Sequence, residues 1–316
     1  MHNRVAISED KILDAYPVSR VTPAALHHDM FALNFRNKNP IILDGAALPW
    51  FGICGCTDDP AEKVIENLEE CEAEMLLALD GKNFLQRSLC SSREINLKEE
   101  MRKIFSEHGI FQSRENLSVE SVPQRKYIRI YFDSHTKLLH RIDLSYLKSL
   151  ATNASPTTTS IVTEPRENKS DCIAPFKLRN IGLWMSSEGC VTPLHFDKCH
   201  GFLAQIIGIK TFLLASSAES DLLRYWREES DGYYENGTTS SVNLGLWLEG
   251  NINERVKHPL IEDVAWFIAK LCPGDILYTP PGWWHYVISE TASASILIPF
   301  DPQPSTETLP RNVLLS

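Results

Sequence analysis

Two short stretches carry the residues best able to do chemistry. Residues 191–197 read VTPLHFD, with His195 two positions before Asp197, and residues 274–289 read GDILYTPPGWWHYVIS, which contains His285. In an extended chain, positions i and i+2 project from one face, so His195 and Asp197 would enter one cavity while Phe196 enters the layer behind it. A His-x-Asp pair alone is a weak signal, because it arises by chance in many strands. His285, on a strand after a Pro-Pro-Gly turn and beside Trp283 and Trp284, supplies a third donor. Two imidazoles and one carboxylate on one face form the facial set that binds non-haem Fe(II) and leaves three positions open. Lys210 adds an independent piece in QIIGIKTFLL, where Gly208 is read as a turn between two apolar strands. A lysine inside such a run must reach solvent or meet an anion, so an acid-binding role fits.

These residues need a β scaffold, and the second half of the chain reads as one. NIGLWMS, VTPLHF, GFLAQIIG, IKTFLLA, GDILYTP, WWHYVIS and ASILIPF are seven β-like runs separated by turns, which predicts a sandwich or barrel-like fold. The first 120 residues read as mixed but rich in helix. SEDKILDAY looks like a short capped helix, NPIILDGAAL a strand, and DDPAEKVIENLEECEAEMLLALDG and INLKEEMRKIFS amphipathic helices. We therefore expect a mainly β protein with helical additions. Its α-rich region would cover 1–120, with a first strand near 40–45 packing on the core. The catalytic core would span 121–300 with loop insertions at 151–171 and 216–265, and a polar, proline-interrupted tail, 301–316, would run along the surface.

The 316 residues are 43% hydrophobic and 23% charged, ordinary values for a folded globular protein. The net charge of −10 argues against broad attraction to nucleic acid or anionic membranes, and the basic clusters QRKYIR and LLHRID are short and interrupted. No secretory signal or membrane-length apolar run is seen, so we expect a cytoplasmic or nuclear protein that is not secreted and whose eight cysteines are reduced. Cys54 and Cys56 form a C-x-C, but no second Cys/His pair follows at zinc-finger spacing.

TPLHFDKCHGFLAQIIGIKTFLL followed by PGDILYTPPGWWHYV resembles the JmjC (cupin-8-like) family of Fe(II)- and 2-oxoglutarate-dependent oxygenases. The likeness is to its small hydroxylase branch, which includes the factor inhibiting hypoxia-inducible factor and JmjC-domain protein five, and with NPIILDGA it spans roughly residues 38 to 300. It implies a double-stranded β-helix (jelly-roll) core. It further implies that His195, Asp197 and His285 bind iron and that Lys210 and Thr192 hold the distal carboxylate of 2-oxoglutarate. Tyr127 would serve the same end, with Tyr131 as the alternative. Fe(II), 2-oxoglutarate and O2 are the implied cofactor and cosubstrates. Two departures stand out: Gly201 and Ile298 occupy positions where relatives often carry asparagine, and both are expected to face the cosubstrate.

The leading expectation is hydroxylation of a protein or peptide side chain. Hydroxylation of a modified tRNA base or a small metabolite, lysine or arginine demethylation, and a catalytically silent binding scaffold remain as alternatives. We expect a monomer or weak dimer and no membrane partner. Trp283 and Trp284 are read as packing, Cys199 and His200 as loop residues, and Gln205 as either packing or substrate contact.

Overall fold

Short, largely apolar runs bounded by turns, buried on both faces, build two large sheets. The structure, a computed structural model, describes residues 4–8, 11–52, 60–78, 90–106, 125–132, 136–152, 172–173, 176–177, 180–223, 237–302 and 307–316. The strands are β1 (Arg4–Ser8), β2 (Lys11–Pro17), β3 (Arg20–Val21), β4 (Ile41–Leu43), β5 (Glu72–Ala78), β6 (Cys90–Asn96), β7 (Lys126–Tyr131), β8 (Cys172–Ile173), β9 (Phe176–Lys177), β10 (Gly182–Ser186), β11 (Val191–Phe196), β12 (His200–Ile207), β13 (Lys210–Ala215), β14 (Trp266–Leu271), β15 (Ile276–Thr279), β16 (Trp284–Ser289) and β17 (Ser293–Phe300). One sheet has the order β1-β2-β14-β13-β16-β11 and the other β3-β4-β15-β12-β17-β10-β7-β5-β6. All seven runs read as β in the second half of the sequence are strands.

Three apolar layers follow from this pairing. Between the sheets, Phe212, Leu214 and Val287 of the first meet Leu203 and Leu277 of the second. Behind the nine-stranded sheet, Ile296, Ile298 and Phe202 pack against α1 (His28–Asn34), α2 (Pro60–Glu66), α3 (Leu97–Ser106) and α5 (Ser145–Ala151), with α4 (Thr136–Leu139) beside them. Behind the six-stranded sheet, Phe196, Trp266 and Trp284 pack against α6 (Leu244–Leu248) and its surroundings, with α7 (Ile252–Lys257) following. Two facing sheets with covered backs make the jelly-roll architecture. Among the described residues no helix is long and apolar enough to cross a membrane.

Several local expectations are corrected. Lys11–Pro17, expected as a helix, is a strand that runs parallel to β14 with Ala15 opposite Trp266. Burial of Ala15 and Val18 against the sheet overrides a helical spacing that has no apolar face to bury elsewhere. The long helix expected over 58–81 stops at Glu66, and Glu72–Ala78 turns to strand between β6 and β7. WFIAKL, directly after the expected 216–265 insertion and not among the seven β-like runs, is β14, an interior strand of the six-stranded sheet. The tail is not simply superficial: it carries α8 (Arg311–Leu315), and the side chain of Glu307 is only 6% exposed. The Cys54–Cys56 pair and nearly all of the 151–171 insertion lie outside the described residues.

Candidate active site

Strand β11 pairs with β16 so that His195 stands directly opposite His285. Thr192 and His195 are three apart, which in a regular strand would place them on opposite faces. A register shift between them, at Pro193–Leu194, turns both into the same cavity. The free edge of β11 is sealed by the 216–265 insertion: the Phe196 amide donates to the Thr238 carbonyl (3.0 Å), and the Ser240 amide donates to the Leu194 carbonyl (2.9 Å).

The two imidazole rings lie 4.0 Å apart, centre to centre. Nδ1 of His195 is 2.8 Å from the Pro193 carbonyl and Nδ1 of His285 is 3.0 Å from the Trp283 carbonyl. A carbonyl can only accept, so each ring carries its proton on Nδ1 and presents the lone pair of Nε2 to the cavity. Asp197 Oδ2 stands 3.8 Å from His285 Nε2, and one donor atom from each of the three residues lies within 4.8 Å of the others. Burial, with His285 next to it, pushes His195 down to about 4 despite the opposing pull of Asp197. It is therefore neutral at physiological pH, the form that binds a metal. The donor set, tautomers and protonation fit a divalent metal of the Fe(II) type.

The same cavity, of about 90 Å³, is lined by Lys210, Thr192 and Tyr127 as well as by the three metal-type ligands. Lys210 starts β13 opposite Ser289, whereas Leu214, four residues on, is opposite His285. At a strand's rise that separation is roughly 13 Å along the sheet. Lys210 is 5% exposed, and no acidic side chain among the described residues lies within ion-pair distance of it. Burial pushes its ammonium down to about 8, offset in part by the Cys190 thiol. The phenol of Tyr127 hydrogen-bonds Thr192, and burial holds it well above the ordinary phenol range, so it remains a neutral donor. Tyr131, the alternative considered from sequence, instead lines an outer pocket of about 300 Å³, beneath the Arg129 guanidinium.

The inner cavity and outer pocket share Trp184, Asp197, Gly201 and Leu297. Gly201 faces the cavity as expected, but Ile298 does not. Ile298 is buried behind the sheet, and its neighbour Leu297 points inward, because adjacent residues of a strand take opposite faces. Trp184 and Leu297 are site-lining residues that motif reasoning missed; period-two alternation through β10 and β17 was the available signal. Trp283 and Trp284 are buried packing residues. Gln205 is structural, donating to the carbonyls of Ile207 and Gly208 and accepting from Ser295. His200 is not a loop residue: it opens β12, fully buried, and its imidazole meets Tyr278 and Glu307.

A jelly roll with a two-histidine, one-carboxylate cluster between its sheets has the architecture of a cupin. The Cupin-like domain family matches residues 28–306, and the chain belongs to it. The chain is 33% identical over 117 residues to "Jumonji C domain-containing protein 5" of Drosophila melanogaster, covering 37% of this chain and 26% of that protein. It is 34% identical over 120 residues to "Lysine-specific demethylase JMJ30" of Arabidopsis thaliana, covering 38% of this chain and 25% of the relative. A third relative, "JmjC domain-containing protein D" of Dictyostelium discoideum, is 37% identical over 116 residues, covering 37% of this chain and 24% of that protein. The chain thus spans about a quarter of the length of these curated relatives.

Proposed function

We propose that this protein is an Fe(II)- and 2-oxoglutarate-dependent oxygenase that hydroxylates a C–H bond on an amino-acid side chain of a protein or peptide. The observation that carries the reading is the coexistence, in one cavity, of a His-Asp-His cluster and a buried lysine with no carboxylate partner among the described residues.

His195, Asp197 and His285 would hold the metal. The Lys210 ammonium, with the hydroxyls of Thr192 and Tyr127, would bind the far carboxylate of 2-oxoglutarate; the spacing along β13 and β16 leaves room for a five-carbon diacid between lysine and metal. Leu203, Phe212 and Leu297 exclude water around its methylene groups. Because Gly201 and Leu297 carry no side-chain amide, the near carboxylate would depend on the metal for orientation. With Fe(II) and 2-oxoglutarate bound, the site would gain an oxidant that spends O2 to give succinate and carbon dioxide and leaves one oxygen atom on the substrate. The outer pocket, with Tyr131 and Trp184 as aromatic walls and Asp301 at its rim, would receive the substrate side chain.

Demethylation is the second reading, favoured by the names of relatives such as "Lysine-specific demethylase 8" of Danio rerio, 32% identical over 116 residues. Incubation of peptide pools with the protein, Fe(II) and 2-oxoglutarate separates the two. Hydroxylation leaves a product one oxygen atom heavier, whereas demethylation releases formaldehyde. Absence of 2-oxoglutarate-dependent change in any peptide or small-molecule pool would count against catalysis.

A further inference from the structure

The two segments bearing Asp197 and His285 are tied to each other by the turn that precedes β16. The Gly282 amide donates to the Asp197 carbonyl at 2.8 Å, and the carbonyl of the following residue, Trp283, receives Nδ1–H of His285. This turn is in turn fastened from behind by the C-terminal tail. Asn312, 3% exposed, donates from Nδ2 to the Gly282 carbonyl at 2.9 Å. The packing is close: Gly282 has a φ of +76°, and a Cβ there would come 2.7 Å from Asn312 Oδ1 and 3.0 Å from Val313 Cγ2. The tail is anchored a second time at Glu307, which meets His200, three residues beyond Asp197, and Arg36.

We infer that Asn312 is a positioning residue for the metal site: through the Gly282 peptide it fixes where Asp197 sits relative to His285, so that docking of the tail and binding of the metal are coupled. The inference rests on the metal-site reading of His195, Asp197 and His285. Groups outside the first coordination sphere commonly change metal affinity by 10- to 100-fold, and coupling between two binding events is reciprocal.

The test uses Mn(II) alone as a redox-stable probe, with calorimetric titration of the wild type, Asn312→Asp and Leu150→Ala. Asn312→Asp keeps the side-chain shape and, ionised, lacks the donor and sets a charge against the Gly282 carbonyl; Leu150→Ala destabilises the helical layer behind the other sheet without touching the turn. We expect Asn312→Asp to weaken Mn(II) binding about tenfold, while Leu150→Ala lowers the unfolding midpoint but leaves Mn(II) affinity unchanged. Equal affinity in Asn312→Asp and wild type would overturn the coupling while leaving the metal site standing. No Mn(II) binding by the wild type would remove the metal site itself, and the inference with it. Hydrogen exchange on the wild type keeps the idea testable if Asn312→Asp does not fold. The amides of Val313 and Leu314, which donate to the Pro310 carbonyl, should exchange more slowly once Mn(II) is bound. Unchanged exchange there would contradict the coupling.

Discussion

Lys210 is the residue whose energetics depend most on what occupies the cavity. As an ammonium held between sheets it destabilises the empty protein, and the same feature makes it a strong anchor for an anion that loses its water along with it. Lys210→Met should therefore weaken 2-oxoglutarate binding about 100-fold, leave Mn(II) binding unchanged, and raise the unfolding midpoint of the empty protein at neutral pH by a few degrees. Calorimetry and thermal unfolding check the three effects; equal loss of metal and diacid binding would assign Lys210 a structural role. The pH dependence has a definite sign. Burial lowers the lysine from 10.5 to about 8, so between those values the unfolded chain holds more protons, and this group's contribution to stability rises with pH. Diacid binding needs the charged form, so affinity should fall progressively above about pH 8, a slope that Lys210→Met should abolish. At this scale the sequence was informative, since Lys210, Thr192, Tyr127 and the three metal-type ligands lie in one cavity. Leu297 was not singled out because the family likeness points to its neighbour Ile298, and a shift of one residue exchanges the two faces of a strand.

At the scale of elements, turns decide where those side chains arrive. Gly208, with φ of +72°, reverses the chain between β12 and β13, and a Cβ there would fall 2.0 Å from the Ala292 carbonyl oxygen. A side chain at this position meets both an unfavourable backbone and an immovable peptide. Gly208→Ala should cost about 3 kcal/mol or more in a denaturant unfolding experiment and also weaken diacid binding, because Lys210 lies two residues along. Normal affinity in a destabilised Gly208→Ala protein would show that the turn does not position the lysine. Strands such as β11, β13 and β16 were legible because each is a short apolar, β-prone run bounded by turn residues, a signal carried by the run itself. Lys11–Pro17 and Glu72–Ala78 were not: the first forms half of a hairpin with β1 and its last three residues join β14, and the second is held between β6 and β7. The register shift in β11 that brings Thr192 beside His195 is likewise invisible without β16.

Across the whole molecule, the facing sheets are closed from outside by parts that sequence patterning could not assign. The insertion seals the edge of β11, and the tail locks the turn before β16, in each case through contacts between residues tens to hundreds of positions apart. Such long-range hydrogen bonds leave no periodic trace in the chain. The fold class was legible and its fastenings were not. The central claim is that this scaffold brings a metal and a diacid together in the inner cavity, and anaerobic titration of the metal-free protein with Fe(II) and 2-oxoglutarate tests it most directly. The visible charge-transfer absorption of the chelate should appear in the wild type and be lost in Asp197→Ala and His285→Ala. A folded, metal-free wild type that gives no band under saturating Fe(II) and 2-oxoglutarate would contradict the account and leave a JmjC-type scaffold without its chemistry.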